Sequence, residues 1–156
     1  MSTLAESTAR LTARTLLAVF IIAAPAELHD ASAQPPADAV ESAKKGKLEN
    51  PHSNDAAAAK EGHKLYTAAG CNGCHGGTGG GGMGPPLTNV VWIYGDDDDT
   101  LFRLITLGSD ELLANGYSRK GTENVVGPMP AQKDIVKSTD DMWKIVTWIK
   151  SLSNDG

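Results

Sequence analysis

Large aromatic side chains are scarce in this sequence of 156 residues. Aromatic residues make up 5% of the chain. The chain has only 2 cysteines, which are too few for a zinc site built from thiols alone. An excess of positive charge is also missing, because the formal net charge is −5. That balance argues against nucleic acid or an anionic membrane surface as a partner. So few aromatic residues predict a small core, which a bound cofactor could complete.

The chain also lacks an apolar run long enough to span a bilayer, which takes about 20 residues. The run Leu16–Ala24 is shorter and follows two arginines, a pattern typical of an export signal. Small-x-small cleavage sites end at Ala26 and Ala33, and we favour the second. Residues 1–33 are therefore predicted to be a secretory signal peptide, and the mature protein to be soluble in the periplasm. An uncleaved membrane anchor is the alternative.

The rest of the chain divides by composition into a leader and one domain. Residues 34–52 are rich in Ala, Pro, Lys and Glu and are predicted to be flexible, and 53–156 to form the folded domain. Ser53 is the candidate N-cap of a first helix. Two short helices are predicted between Leu101 and Gly116, separated at Gly108, and a last helix begins at Thr139. Glycine dominates 70–86, which excludes regular structure there. No pair of strands is indicated, so the predicted fold class is all-α, with short helices and long loops.

Both cysteines lie in the stretch GCNGCHGG, a C-x-x-C-H motif. A redox disulfide of this spacing belongs with a βαβ pattern, which is not indicated here, and a zinc site would need two more Cys or His at suitable spacing. C-x-x-C-H is the signature of c-type haem attachment, in which each thiol adds to one vinyl group and the next residue supplies an imidazole to the iron. We therefore predict one covalent haem c on Cys71 and Cys74, with His75 as an iron ligand.

The segments around the motif resemble the class I c-type cytochromes over about residues 53 to 153. They read GHKLYTAAGCNGCHG, GPPL, PMP and WKIVTWIKSL. The resemblance implies that the first and last helices cross beside the haem, with Gly62 and Tyr66 meeting the last helix near Trp148. It also implies that a proline carbonyl of GPPL accepts the second ring N–H of His75. Pro85 is the candidate, and Pro86 or a plain loop role are the alternatives.

Three methionines follow the predicted signal and are candidates for the sixth iron ligand. Met129, followed by Pro130, falls where the distal methionine of the resembled family falls. Met83 directly precedes GPPL and is expected on the histidine side of the haem, and Met142 fits the buried stripe of the last helix. Ligation by His75 and Met129 fills both axial positions, which suits electron transfer.

Two further features carry open alternatives. Trp92, Tyr94 and Arg103 are candidates to hydrogen-bond the haem propionates, or they pack in the core. The acidic run Asp96–Asp99 is predicted to form a helix N-terminus, because acidic side chains favour that end of the helix dipole, and a docking patch or a weak cation site are the alternatives.

A closer resemblance is to the methanol-metabolism-related c-type cytochromes. It rests on CNGCHGGTGGGGMGPPLTN, YGDDDDTLFRLITLGSDEL and GYSRKGTENVVGPMP. It implies that the protein accepts electrons from a quinoprotein (PQQ) alcohol or methanol dehydrogenase and passes them toward an oxidase. With both axial positions filled and no nucleophile, general base or substrate pocket indicated, the protein is predicted to be a single-electron carrier, not an enzyme, and it is expected to be a monomer. Members of that branch carry an additional cysteine pair that this chain lacks, and Gly84 is a candidate for one missing position. A haem-based sensor with an exchangeable sixth ligand is the alternative function, and a haem enzyme such as a small peroxidase, which would need a distal acid–base residue, is a third.

Overall fold

The computed structural model describes residues 32–121 and 127–153. Within those ranges the secondary structure is entirely helical, which confirms the all-α prediction. The elements are α1 Pro36–Ser42, α2 Ala56–Ala68, α3 Asn72–His75, α4 Asp98–Ala114 and α5 Thr139–Ser151. Helix α3 lies within residues 70–86, so the prediction that this stretch has no regular structure is wrong for these four residues. Nearly all of the predicted signal peptide lies outside the described residues. None of the described helices has the length and hydrophobicity needed to cross a membrane.

Helix α2 begins at a capping residue that differs from the predicted one. Asp55, not Ser53, is the N-cap, and its carboxylate accepts hydrogen bonds from the backbone N–H groups of Ala57 and Ala58. A carboxylate there satisfies free N–H groups of the first turn and complements the helix dipole. The helix ends at Ala68, and Gly70 follows with a φ of 80°.

Helices α2 and α5 cross in direct backbone contact. A Cβ atom at Gly62 would overlap the carbonyl group of Lys144, so only glycine lets the two helices approach this closely. The rings of Tyr66 and Trp148 pack beside the crossing, with their centroids 4.3 Å apart. This is the crossing that the family resemblance implies.

Helix α4 contains both of the short helices predicted between Leu101 and Gly116. Asp97 caps it by accepting from the N–H of Thr100, and the next two aspartates lie in its first turn, as the acidic run predicts. The helix kinks at Gly108, whose φ of 78° and ψ of 170° are not helical. The prediction that a helix ends at Gly108 therefore corresponds to this kink.

The prediction of a flexible leader over residues 34–52 is wrong. This segment forms α1 and a series of turns that pack against α4 and α5, and Ala39 in it is 3% exposed. The guanidinium group of Arg103 donates hydrogen bonds to the carbonyls of Val40, Ala43 and Lys44. The ordering partners lie far along the chain, so the local composition of the segment does not indicate them.

Helix α5 supplies the centre of the core. Ser138 caps it by accepting from the N–H of Asp141, and its buried face meets α2 and α4. Its fully buried side chains are Met142, Ile145 and Val146. Helix α5 also forms one wall of a cavity, which its Ile145 and Ile149 line.

Candidate functional site

A cavity of about 540 Å³ opens between α2, α4, α5 and the loops that connect them. Apolar side chains from all three helices line most of it, among them Leu101, Ile145 and Ile149. The residues that the sequence singles out also line it: Cys71, Cys74, His75, Pro85 and Met129. The fold therefore brings together every predicted site residue, although they are spread over 59 positions of the sequence, from residue 71 to residue 129.

The two cysteines lie on one tight turn at the cavity wall. Cys71 is the N-cap of α3, and its carbonyl accepts the N–H of His75 at 3.0 Å. Both cysteines are free thiols and are partly buried. Burial raises the pKa of the Cys71 thiol. The turn thus presents two thiols and an imidazole side by side.

The imidazole of His75 is held from behind by the GPPL segment. Its Nδ1 lies 2.8 Å from the carbonyl oxygen of Pro85. A carbonyl can only accept, so Nδ1 carries the proton and Nε2 keeps a lone pair for a metal. Gly84 lies against the same ring, where a Cβ atom would come within 2.9 Å of Cε1. A cysteine at residue 84 would have to displace this ring, so the structure does not support the hypothesis that Gly84 marks a missing cysteine position.

The glycine-rich loop after His75 is held by two aromatic side chains of α2. The hydroxyl of Tyr66 donates to the carbonyl of Gly76 at 2.6 Å, and burial raises the pKa of Tyr66 to about 12, which keeps this donor protonated. The Nε2 of His63 donates to the carbonyl of Gly77 at 2.8 Å. The His63 ring also stacks on Trp148 with centroids 4.5 Å apart. Helices α2 and α5 together therefore fix the position of this loop.

The three methionines differ in their surroundings. Met129 lines the cavity and is partly buried. Met83 also lines the cavity, but it is 63% exposed, and the next residue, Gly84, lies against the His75 ring. Met142 is fully buried in the core between the helices and is not part of the cavity lining.

The residues considered for the haem propionates separate into two groups. Trp92 and Tyr94 line the cavity. Arg103 is engaged elsewhere: besides its three carbonyl partners in the α1 segment, it pairs with Asp99 at 3.0 Å. Its guanidinium is therefore committed to the N-terminal segment, and the propionate role is not supported for this residue.

Sequence reasoning missed one residue at the site, Ser109. It lines the cavity, is 5% exposed, and makes two hydrogen bonds to the backbone of Met129. Its position directly after Gly108 in the sequence is the only signal that could have indicated it, because a residue just past a kink has a backbone N–H free for other partners.

The donor set and the cavity fit a c-type haem. Two free thiols at x-x spacing, an imidazole with a free Nε2 and an apolar enclosure are the features that such a group needs. Cys71 and Cys74 would hold it covalently.

The family comparison agrees with this fit. The family model for cytochrome c matches residues 59–153. The cbb3-type cytochrome c oxidase subunit CcoP of Azospirillum brasilense is 39% identical over 66 residues, which are 38% of this chain and 22% of that protein. The chain thus spans about a fifth of the length of that curated relative. Among solved structures, cytochrome cL from the marine methylotrophic bacterium Methylophaga aminisulfidivorans MPT is similar, with a TM-score of 0.47 and 25% identity, covering 72% of this chain and 71% of that one.

The family model spans well over half of the chain, including the C-x-x-C-H turn, the GPPL segment and the last helix. The chain therefore belongs to the cytochrome c family: it is a class I c-type cytochrome with one haem c attached through Cys71 and Cys74.

Proposed function

We propose that this protein is a periplasmic single-electron carrier in which His75 and Met129 are the axial ligands of the haem iron. Haem iron supplies a ferric/ferrous couple and so exchanges one electron at a time. The observation that carries the proposal is that His75 and Met129, 54 positions apart in the sequence, line the same apolar cavity. The electron-transfer role of the family supports a carrier rather than an enzyme.

Each residue has a distinct task in this proposal. The hydrogen bond from His75 Nδ1 to the Pro85 carbonyl orients the imidazole and increases its basicity as a ligand. Met129 occupies the sixth position and keeps exogenous ligands away. The apolar lining excludes water, which disfavours extra charge on the iron and raises the reduction potential.

We infer a quinoprotein alcohol or methanol dehydrogenase as electron donor and an oxidase as acceptor. The donor is supported by the sequence resemblance to the methanol-metabolism-related cytochromes. The acceptor class is supported by the relative in Azospirillum brasilense, which is itself a subunit of a cytochrome c oxidase. The periplasmic location is supported by the signal-like N-terminus and by the site of c-type haem attachment, which lies outside the cytoplasm.

The first test is the optical spectrum of the holoprotein, oxidised and reduced, for the wild type and Met129→Ala. We expect a weak ferric charge-transfer band at the red edge of the visible spectrum, present in the wild type and absent from Met129→Ala. Met83→Ala is the matched control, because Met83 also lines the cavity, and it should keep the band.

A band that survives Met129→Ala, or that is absent from the wild type, would contradict the ligand assignment. Rapid binding of carbon monoxide by the reduced wild type would then favour the sensor function, since an exchangeable sixth position is what a ligand-binding module requires.

A further inference from the structure

We propose that the kink of α4, formed by Gly108 and Ser109, positions Met129 on the iron and so keeps the sixth coordination site closed. The inference rests on the proposed function, because it takes Met129 as the sixth ligand. Both residues act through Met129 and are positioning residues.

Gly108 provides the close approach. Its φ of 78° lies in the left-handed region, and a Cβ atom there would come within 2.6 Å of the Met129 carbonyl oxygen and 2.7 Å of the Ala131 nitrogen. Both of these are backbone atoms, which cannot move aside as a flexible side chain could. Only glycine therefore allows the methionine segment to lie directly on the helix.

Ser109 holds the methionine by a reciprocal pair of hydrogen bonds. The backbone N–H of Met129 donates to Ser109 Oγ at 3.0 Å, and the backbone N–H of Ser109 donates to the Met129 carbonyl at 2.9 Å. The non-helical dihedral angles of Gly108 interrupt the helix, which frees the Ser109 N–H for this second bond. Because Ser109 is 5% exposed, both bonds are shielded from competing water.

The turn of α4 that precedes the kink extends this attachment along the segment. The carbonyl of Ile105 accepts the N–H of Gln132 at 2.9 Å, and the carbonyl of Thr106 accepts the N–H of Lys133 at 3.3 Å. A kink exposes carbonyl groups that a continuous helix would use internally. One break in α4 therefore provides both donors and acceptors to residues 129–133.

The physical reason for such an attachment is the weakness of the ligand. A methionine thioether is neutral and only a weak acceptor, so a strong intrinsic bond cannot compensate for a mobile backbone. Anchoring the backbone of Met129 lowers the entropy lost when its sulfur returns to the iron. The prediction is that loosening the kink opens the sixth position to added ligands without unfolding the protein.

The test measures the dissociation constant of imidazole for the ferric holoprotein. Ser109→Ala removes one of the two reciprocal bonds, and we expect imidazole to bind about fivefold more tightly, the effect of one buried hydrogen bond. Ser109→Thr keeps the hydroxyl and should restore most of the wild-type constant. Ser138→Ala is the matched control, because Ser138 Oγ likewise accepts one backbone N–H, that of Asp141 at 3.0 Å, but it does not line the cavity. The free energy of unfolding in denaturant should fall by a similar amount in Ser109→Ala and Ser138→Ala.

A second pair of variants tests the glycine. Gly108→Ala should increase imidazole affinity about tenfold or more and weaken the ferric charge-transfer band, because the new methyl group pushes the Met129 backbone away. Gly116→Ala is the matched control: Gly116 has a φ of 79°, but a Cβ atom there would meet only the end of the Lys45 side chain at 3.9 Å. It carries the same backbone strain without the contact with the methionine segment.

The outcomes separate the two proposals. A wild type without the charge-transfer band, or one whose band survives Met129→Ala, contradicts the proposed ligation itself. Suppose that Met129→Ala loses the band, but Ser109→Ala and Gly108→Ala bind imidazole no more tightly than their controls. The proposed carrier function with Met129 as ligand then stands, and the positioning role of the kink is overturned. If Gly108→Ala fails to mature, the imidazole affinities of Ser109→Ala, Ser109→Thr and Ser138→Ala decide alone.

Discussion

Asp99 is the residue at which three distant parts of the chain meet. Its carboxylate accepts hydrogen bonds from the hydroxyl of Tyr117 at 2.6 Å, the backbone N–H of Leu48 at 3.1 Å and the Nε of Arg103 at 3.0 Å. Burial by itself raises the pKa of Asp99, but the bonds from Tyr117 and from the backbone outweigh it and hold the pKa below its ordinary value. The Asp99 carboxylate is therefore charged at neutral pH and accepts hydrogen bonds from all three donors.

Replacement of Asp99 by asparagine should destabilise the protein strongly. Asp99→Asn leaves the buried Arg103 guanidinium without its counter-charge, so we expect the free energy of unfolding at pH 7 to fall by about 3 kcal/mol. Because the pKa is lower in the folded state, the contribution of the carboxylate is complete above the unfolded-state pKa and is lost as the pH falls through the folded one. The difference in free energy of unfolding between the wild type and Asp99→Asn should therefore become smaller below about pH 4.

Urea unfolding at several pH values measures this gap. Asp110→Asn is the control, since Asp110 lies on the same helix but is exposed, and its effect should stay within about 0.5 kcal/mol. A gap that remains constant from pH 7 to pH 2 would show that the charge of Asp99 is not what stabilises the fold.

At the scale of the elements, the contact between α2 and α5 depends on a single glycine. Gly62→Ala would force the Lys144 carbonyl away and separate the two helices, so we expect the free energy of unfolding to fall by about 2–3 kcal/mol despite the better helix propensity of alanine. Gly73→Ala is the control, because a Cβ atom at Gly73, also within a helix, would meet nothing within 4 Å. Equal stabilities of the two variants in guanidinium unfolding would contradict the role of this contact.

The elements that the sequence predicts well are those with local signals. Helix α5 begins at Thr139 as predicted because a serine cap and two acidic residues stand at its start, and the kink at Gly108 follows from the glycine itself. Helix α1 and the turns after it were not predictable, because Arg103 binds Val40 from 63 positions away and Asp99 binds Leu48 from 51 positions away.

The site divides in the same way. The motif places Cys71, Cys74 and His75 together by adjacency alone, and the GPPL segment points to Pro85 through a resemblance of sequence. Ser109 has no such signal: it reaches Met129 only because α4 kinks and the loop returns onto it. Contacts made by the fold between distant segments have no local pattern that a sequence could display.

For the whole molecule, the haem is expected to form part of the core. The cavity of about 540 Å³ is lined mostly by apolar side chains, and without the haem these side chains would face water, which destabilises the folded state. We therefore expect the double variant Cys71→Ala/Cys74→Ala, which cannot attach haem covalently, to lose most of its helical far-ultraviolet circular dichroism. The Met129→Ala holoprotein is the control and should keep its helical signal. A double variant with the helical content of the holoprotein would show that the protein part folds alone.

The contacts of the α1 segment also set an order of events in time. A helix of seven residues is not stable by itself. Its partners emerge late in synthesis. Arg103 follows its partner Val40 by 63 positions. Thr139 donates to the Gln34 carbonyl and follows Gln34 by 105 positions. In the export that we propose, the chain crosses a membrane from its N-terminus and cannot complete this fold until its last helix has arrived. We expect the thiols at Cys71 and Cys74 to stay accessible until then, so that the late contact between the two ends of the domain leaves an interval in which the haem can be joined to the chain.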